Sequence, residues 1–193
     1  MMDVSRETEG RLNEYAKLLR QWSVKINLVA PSTLDDLKER HLADSAQLRT
    51  HAAHWNKWCD LGSGGGLPGI VISILSPECH VSLIESDKRK AVFLTHVVTK
   101  LDLNATVFDG RIETIDPQRA DVVSARALAP LPRLIPLALR HGHSGTRYIF
   151  PKGLRWREEI NEAKKVYRFD VDAQPSITDK HAVVLVLENF ERA

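Results

Sequence analysis

The chain has 193 residues, 43% hydrophobic and 27% charged, close to the averages for a folded soluble protein. That excludes a disordered chain, a collagen-like repeat and a disulfide scaffold. Its 27 basic and 25 acidic residues leave a formal charge of +2, too small to argue nucleic-acid binding without knowing where the charges lie.

Between residue 3 and about residue 55 the only glycine is Gly10 and the only proline Pro31. Leu12, Tyr15, Leu18, Leu19, Trp22 and Ile26 recur at helical spacing and predict a helix ending near Asn27. A second helix is expected after Pro31. Ser32 is its candidate N-cap, Asp35 and Asp36 favour its positive end, and Leu34, Leu37, His41, Leu42 and Ser45 lie on one face. Residues 1–55 therefore read as a helical N-terminal extension, and 56–193 as the main domain.

From Trp58 onward, strand-like runs alternate with helical stretches. The runs are Lys57–Leu61, His80–Ile84, Ala105–Phe108, Ala120–Ser124, Thr146–Phe150 and Ala182–Leu187. Between them lie helical stretches at Pro68–Leu75, Asp87–Leu101, Leu131–Arg140 and Arg155–Tyr167. This alternation predicts an α/β fold with a mostly parallel sheet and helices on both faces. The tail His181–Phe190 is expected as an antiparallel strand at the far end of that sheet.

No window approaches 18 consecutive apolar residues, so no membrane span is expected. The N-terminus lacks the apolar core of a secretory signal. With only Cys59 and Cys79, a reducing, cytoplasmic location is expected rather than disulfide stapling. The eight histidines form no metal-ligand pattern with these cysteines, and no metal is expected.

The most informative stretch is Asp60-Leu61-Gly62-Ser63-Gly64-Gly65-Gly66-Leu67-Pro68-Gly69, which follows the first strand and opens a helix. Glycine permits positive φ and close approach of a ligand to the main chain. In the frame Gly64-x-Gly66-x-x-Gly69 it matches a dinucleotide fingerprint, whose helix N–H groups receive a pyrophosphate. In the frame Asp60-x-Gly62-x-Gly64-x-Gly66 it matches the first motif of S-adenosylmethionine (SAM)-dependent methyltransferases. In that second frame Asp60 helps hold the methionine end, and the glycines carry the sugar and chain. Glu85, at the end of the next strand about 20 residues on, suits a ribose diol in either case. The methyltransferase frame is favoured, because no separate stretch remains for a second catalytic domain.

Further along, Ile112 and Glu113 follow the third strand, where an adenine would be flanked; the alternative is a surface turn. Arg126 follows the fourth strand, where ligands of open α/β sheets bind, and its guanidinium suits an oxyanion or an RNA phosphate. The span Lys152–Arg168 holds six basic residues against three acidic ones beside Trp156. Lys152 and Arg155 are thus candidate RNA contacts, against the alternative of a solvated helix face. There is no Asn/Asp/Ser-Pro-Pro-aromatic motif and no well-placed nucleophilic cysteine. A lone-pair acceptor such as guanine N7 needs neither, so no catalytic side chain is assigned.

Several of these motifs occur together and in order: Trp22–Leu28, Arg40-His41-Leu42-Ala43-Asp44-Ser45, Asp60–Ile70, Glu85–Leu94, Gly110-Arg111-Ile112-Glu113 and Ser124-Ala125-Arg126-Ala127. The chain resembles the bacterial small-subunit (16S) rRNA guanine-N7 methyltransferases, the glucose-inhibited division protein B family, from about Leu12 to Phe190. The resemblance implies a Rossmann-like SAM-dependent methyltransferase fold with a helical N-terminal extension. It also implies methylation of one guanine of 16S rRNA, on the RNA or the small subunit particle, with SAM giving S-adenosylhomocysteine, by what we expect to be a monomer. By that resemblance the cofactor positions are Gly62, Leu67, Ile112, Glu113 and Arg126, with Glu85 as the ribose carboxylate. Where the family usually follows Asn-Leu with threonine, this chain has Val29.

Overall fold

The computed structural model describes residues 4–34 and 36–192. Helix α1 spans Arg6–Ser23, and Ser5 caps it by accepting the Thr8 N–H. Its buried Leu12, Tyr15, Leu18 and Leu19 are the residues whose spacing predicted it. It ends before Asn27, where the Lys25 and Ile26 amides both turn back onto the Trp22 carbonyl.

The second N-terminal helix differs from expectation. Pro31–Thr33 forms a single 3-10 turn with Ala30 in the capping position, and Ser32 is exposed. A wide π-type turn, Leu37–Leu42, then leads into α2, Ala43–His51. The Thr33 hydroxyl donates to the Ala30 carbonyl at 2.8 Å, closing the turn on itself before a helix can propagate. The predicted buried face survives this break: Leu37, Leu42 and Ser45 are buried, and Leu34 and His41 half-buried. Asp35, expected in the first turn, lies outside the described residues.

The remaining elements are β1 (Lys57–Leu61), α3 (Gly69–Leu75), β2 (His80–Glu85), α4 (Lys88–Lys100), β3 (Ala105–Asp109), β4 (Val122–Ser124), α5 (Leu131–His141), β5 (Arg147–Lys152), α6 (Trp156–Ala163), β6 (Tyr167–Pro175) and β7 (Val183–Arg192). They form one seven-stranded sheet of order β3-β2-β1-β4-β5-β7-β6. The first five strands run parallel, and β7 runs antiparallel to both β5 and β6. The tail strand therefore lies one place inside the edge, because the chain first lays down β6. The helix expected through Tyr167 stops at Ala163. From Tyr167 the burial alternates instead: Tyr167, Phe169, Val171 and Ala173 turn inward and Arg168, Asp170 and Asp172 outward, the period of a strand. Tyr148, Tyr167 and Phe169 all pack on Phe190.

Two cores lie on opposite faces of the sheet. On one face α1, the π-type turn, α2, α3 and α4 share a single cluster that includes Tyr15, Leu19, Ile70, Phe93, Leu94 and Val97. On the other face α5, α6 and the β6–β7 hairpin pack around Leu134, Ile135, Phe150 and Ile160. Full burial of a side chain such as Leu19 or Phe93 contributes about 1.5–3 kcal/mol. Val29, at the family's threonine position, is buried in the first core. Among the described residues no helix is long and apolar enough to cross a membrane. The carboxyl ends of β1, β2, β3 and β4 gather on one edge, where the order reverses between β1 and β4, and ligands of such sheets bind there.

Candidate active site

The loop after β1 is built around a buried carboxylate. Asp60 is fully buried. Its Oδ1 accepts the Ser124 hydroxyl at 2.7 Å, and its Oδ2 accepts the Gly69 N–H at 3.2 Å. Ser124 Oγ in turn accepts the Trp58 indole N–H at 2.8 Å. Burial raises the Asp60 carboxyl to about 6, against the pull of the Ser124 hydroxyl. A Cβ on Gly69 would stand 2.2 Å from Leu83 and 2.9 Å from the Asp60 carboxylate, so only glycine lets the helix start this close to the strand.

This arrangement decides between the two frames. In a dinucleotide site the helix N-terminus faces a pyrophosphate. Here its first amide is taken by an internal carboxylate, which would repel a phosphate. It also revises the expectation that Asp60 meets the ligand: no part of its side chain is exposed, and it shapes the loop from beneath. Gly66 and Leu67 are likewise buried and do not line a cleft, which leaves them only main-chain groups to offer.

Above the loop lies a cleft of about 770 Å³ lined by Gly62, Gly64, Glu85, Ile112, Glu113 and Arg126, among others. Gly64 has φ +56, and a Cβ there would meet only the Gly62 carbonyl oxygen at 3.8 Å, so a larger residue would be strained by its backbone and would intrude on the cleft. Glu85 folds back onto the loop. Its Oε2 accepts the Gly64 N–H at 2.8 Å and its Oε1 the Asp87 N–H at 2.7 Å. Each oxygen keeps a second lone pair, so a vicinal diol could still donate to both. Ile112 is buried, and its carbonyl accepts from His141 Nε2 at 3.0 Å. Burial lowers the pKa of His141, keeping it neutral behind Ile112. Glu113 is exposed at the rim.

Arg126 belongs to a wall, Arg126–Ala129, shared with a second and larger cleft of about 1290 Å³. Its Nη1 donates to Asp44 Oδ2 at 3.3 Å and to His41 Nδ1 at 3.1 Å. The next residue, Ala127, has φ 54, a left-handed conformation that costs a non-glycine residue about 1–2 kcal/mol. The wall's far end is also fastened. Lys152 Nζ donates to the Ala129 carbonyl and to Glu159 Oε2, both at 2.8 Å, and the same Glu159 oxygen accepts the Leu131 N–H at 2.8 Å.

The basic span is thereby divided. Lys152 and Arg155 both line the larger cleft, but the Lys152 side chain is only 10% exposed, with its ammonium already engaged. That corrects its reading as a free phosphate contact; Arg155 is exposed and keeps that possibility. Arg157 lies over the Trp156 ring at 4.1 Å, covering one of its faces. Lys164, Lys165 and Arg168 line neither cleft. Of three further arginines, Arg133 lines the smaller cleft, whereas Arg140 donates to the Ile115 carbonyl and Arg147 pairs with Glu188.

Several site residues carried little sequence signal. Pro132, Pro136 and Leu137 of α5 line the smaller cleft. Tyr15 donates its hydroxyl to the Gly65 carbonyl at 2.6 Å, tying α1 to the glycine loop. Asp44 joins three elements, because its Oδ1 also accepts from Gln47 and from Thr178 of the β6–β7 loop. Its place in the Arg-His-Leu-Ala-Asp-Ser run was the one hint. Among the described residues no group of three or more His, Cys, Asp or Glu side chains could hold a metal.

Residues 8–186 match the family model described as rRNA small subunit methyltransferase G. The curated proteins named "Ribosomal RNA small subunit methyltransferase G" include one from Paracoccus denitrificans, 46% identical with all of both chains covered. One from Cereibacter sphaeroides is 46% identical, covering 97% of this chain and 93% of that protein. Among solved structures, a glycopeptide N-methyltransferase complexed with SAM superposes with a TM-score of 0.64 at 9% identity, over 77% of this chain and 93% of that one. A putative O-methyltransferase from Klebsiella pneumoniae gives 0.61 at 12% identity, over 98% and 92%. At such identities these two establish the Rossmann-like methyltransferase fold alone.

Proposed function

The chain belongs to the rRNA small subunit methyltransferase G family, and on that premise we propose that it transfers a methyl group from SAM to N7 of one guanine of 16S rRNA. The observation that carries the reading is the Glu85 carboxylate held against the Gly64 amide at the mouth of the smaller cleft. Glycine main chain and one acceptor with free lone pairs suit an adenosine that bears no phosphate.

When bound, SAM supplies an electrophilic methyl group and a thioether leaving group. Glu85 would accept from the ribose hydroxyls, Gly62 and Gly64 would leave room for the sugar and chain, and Ile112 and Glu113 would flank the adenine. Gly66 and Leu67 would contribute main chain only, and Asp60 would keep the loop in shape. Arg126, on the shared wall, would face both the donor and the RNA, with Arg155 at the rim of the larger cleft. The nucleophile is the N7 lone pair, which carries no proton, so the chain needs no general base. Its task is alignment, which by itself can supply several kcal/mol of barrier lowering.

In this reading the stretch up to residue 55 is an extension that braces the site rather than a separate unit, since α1 and α2 share a core with α3 and α4. The proposed enzyme works as a monomer on ribosomal RNA in the cytoplasm. The test is incubation with methyl-tritiated SAM and small subunits from cells lacking the protein, followed by mapping of the labelled nucleotide. Label in a single guanine, at a site where borohydride and aniline cleave the RNA as they do at N7-methylguanosine, is expected; label elsewhere, or none on either naked RNA or particles, would refute the assignment.

A further inference from the structure

The contacts around Arg126 fix the direction of a whole chain of hydrogen bonds. The Thr33 hydroxyl donates its only proton to the Ala30 carbonyl at 2.8 Å. Thr33 Oγ1 lies 2.8 Å from His41 Nε2 and can therefore only accept there, so the His41 proton sits on Nε2. Its Nδ1 is left as a bare lone pair, facing Arg126 Nη1 at 3.1 Å. Arginine has donors and no acceptor, so this is the one tautomer that satisfies all three side chains. Asp44 Oδ2 accepts from the same Nη1 at 3.3 Å. His41 lies on the π-type turn, an irregularity often found at functional sites.

We infer that His41 is a positioning residue for methyl transfer: as the neutral Nε2–H tautomer it accepts from Arg126 and, with Asp44, holds that guanidinium at the wall between the two clefts. This rests on the reading of Arg126 as a contact of the donor or the RNA. It goes beyond that reading in giving the N-terminal extension a share in the chemistry.

The consequence is a pH dependence of known sign. Protonated His41 has no lone pair to offer and would place a second positive charge against Arg126. The charged groups facing His41 are Arg126 from the wall, Asp44 from α2 and Arg40 from its own turn. Burial first, then Arg126, lower its pKa below the ordinary 6.5, with Asp44 opposing them. The arrangement is thus complete above pH 6.5 and is lost as pH falls through the lowered value.

The experiment compares wild type, His41→Ala, His41→Asn, Arg126→Ala and the double variant His41→Ala/Arg126→Ala. Each is assayed for SAM binding by calorimetry and for kcat and KM on unmodified small subunits, across pH values from about 5.5 to 8.5 that bracket histidine titration. Asparagine puts Oδ1 near the place of Nδ1 and does not titrate. We expect His41→Ala to lower kcat/KM about tenfold, a size usual for coupled neighbours. His41→Asn should recover most of that loss and remove from the wild-type acidic limb the part due to His41, leaving the part set by the Asp60 carboxyl, which burial raises to about 6. The double variant should be no worse than Arg126→Ala, and nitrogen NMR of the wild type should show Nδ1 unprotonated. An acidic limb unchanged in His41→Asn, or losses from His41 and Arg126 that simply add, would overturn the positioning role while leaving Arg126 in the site. Wild-type kinetics for Arg126→Ala would instead overturn the reading of Arg126 itself.

Discussion

On the Glu85 side of the Arg126–Ala129 wall, the cleft floor is main chain from one loop, Gly62 and Gly64, with a single carboxylate folded onto it. On the Lys152 side, the cleft is lined by side chains from four separate stretches: Asp36–Asp44, the wall itself, Pro151–Glu159 and the β6–β7 loop. The walls of the first also gather Ile112 and Glu113 after β3, the Arg126–Ala129 segment and Pro132, Pro136 and Leu137 of α5, but its floor is local, and a strand end, a turn and a helix start suffice for it. The second exists only when elements more than 100 residues apart meet, as Asp44 and Thr178 do. Under the proposed function the donor would rest on the local floor, and the RNA on the surface assembled from distant stretches.

Four substitutions can break or sharpen this contrast. The largest effect is expected for Asp60→Ala, which leaves the buried Gly69 amide and Ser124 hydroxyl without their acceptor. About 3 kcal/mol of stability should be lost, read from urea denaturation; a loss near zero would mean that the loop does not depend on its buried carboxylate. Next is Glu85→Ala, expected to weaken SAM binding by about 1–3 kcal/mol, roughly 5- to 150-fold. Calorimetry measures it, and RNA affinity should not change. If RNA binding fell equally, the two clefts would not be separable.

Lys152→Met should do the reverse. Removing the ammonium frees the Ala129 carbonyl and leaves Glu159 unpaired, at about 1–2 kcal/mol of stability. In steady-state assays KM for the small subunit should rise more than the SAM dissociation constant does. The smallest effect is expected for Tyr15→Phe, which removes the bond from α1 to the Gly65 carbonyl. A stability loss of about 1 kcal/mol in thermal unfolding is expected, with a slight weakening of SAM. No change in either would show that the extension packs beside the loop without bracing it.

The floor of the smaller cleft was readable in advance because its chemistry is written in contiguous residues, whereas Pro132, Pro136 and Leu137 on its side carried no such signal. Glycines at 62, 64 and 66 take positive φ, and the strand period sets Glu85 level with the loop. Even there, the inward turn of Asp60 was not readable, since a carboxylate at a strand end can face the ligand or the core. The strand β6 could have been read, because Tyr167, Phe169, Val171 and Ala173 alternate with polar residues. The helical reading of Arg155–Tyr167 ran on to its first residue and hid its start. The break between Thr33 and Leu37 carried no such pattern, because a 3-10 turn and a π-type turn keep nearly the same buried face as one helix would.

Alternation and spacing thus set by themselves the order of strands and helices from β1 to α6, the mostly parallel sheet, the glycine loop and the carboxylate that answers it, because each depends on neighbours in the chain. Tertiary packing alone decided which charged groups remained available. Lys152 was claimed by Glu159 and the distant Ala129 carbonyl, while Arg126 was turned between His41 and Asp44. Partners for a charge are chosen by distance in space, and no local pattern encodes that distance.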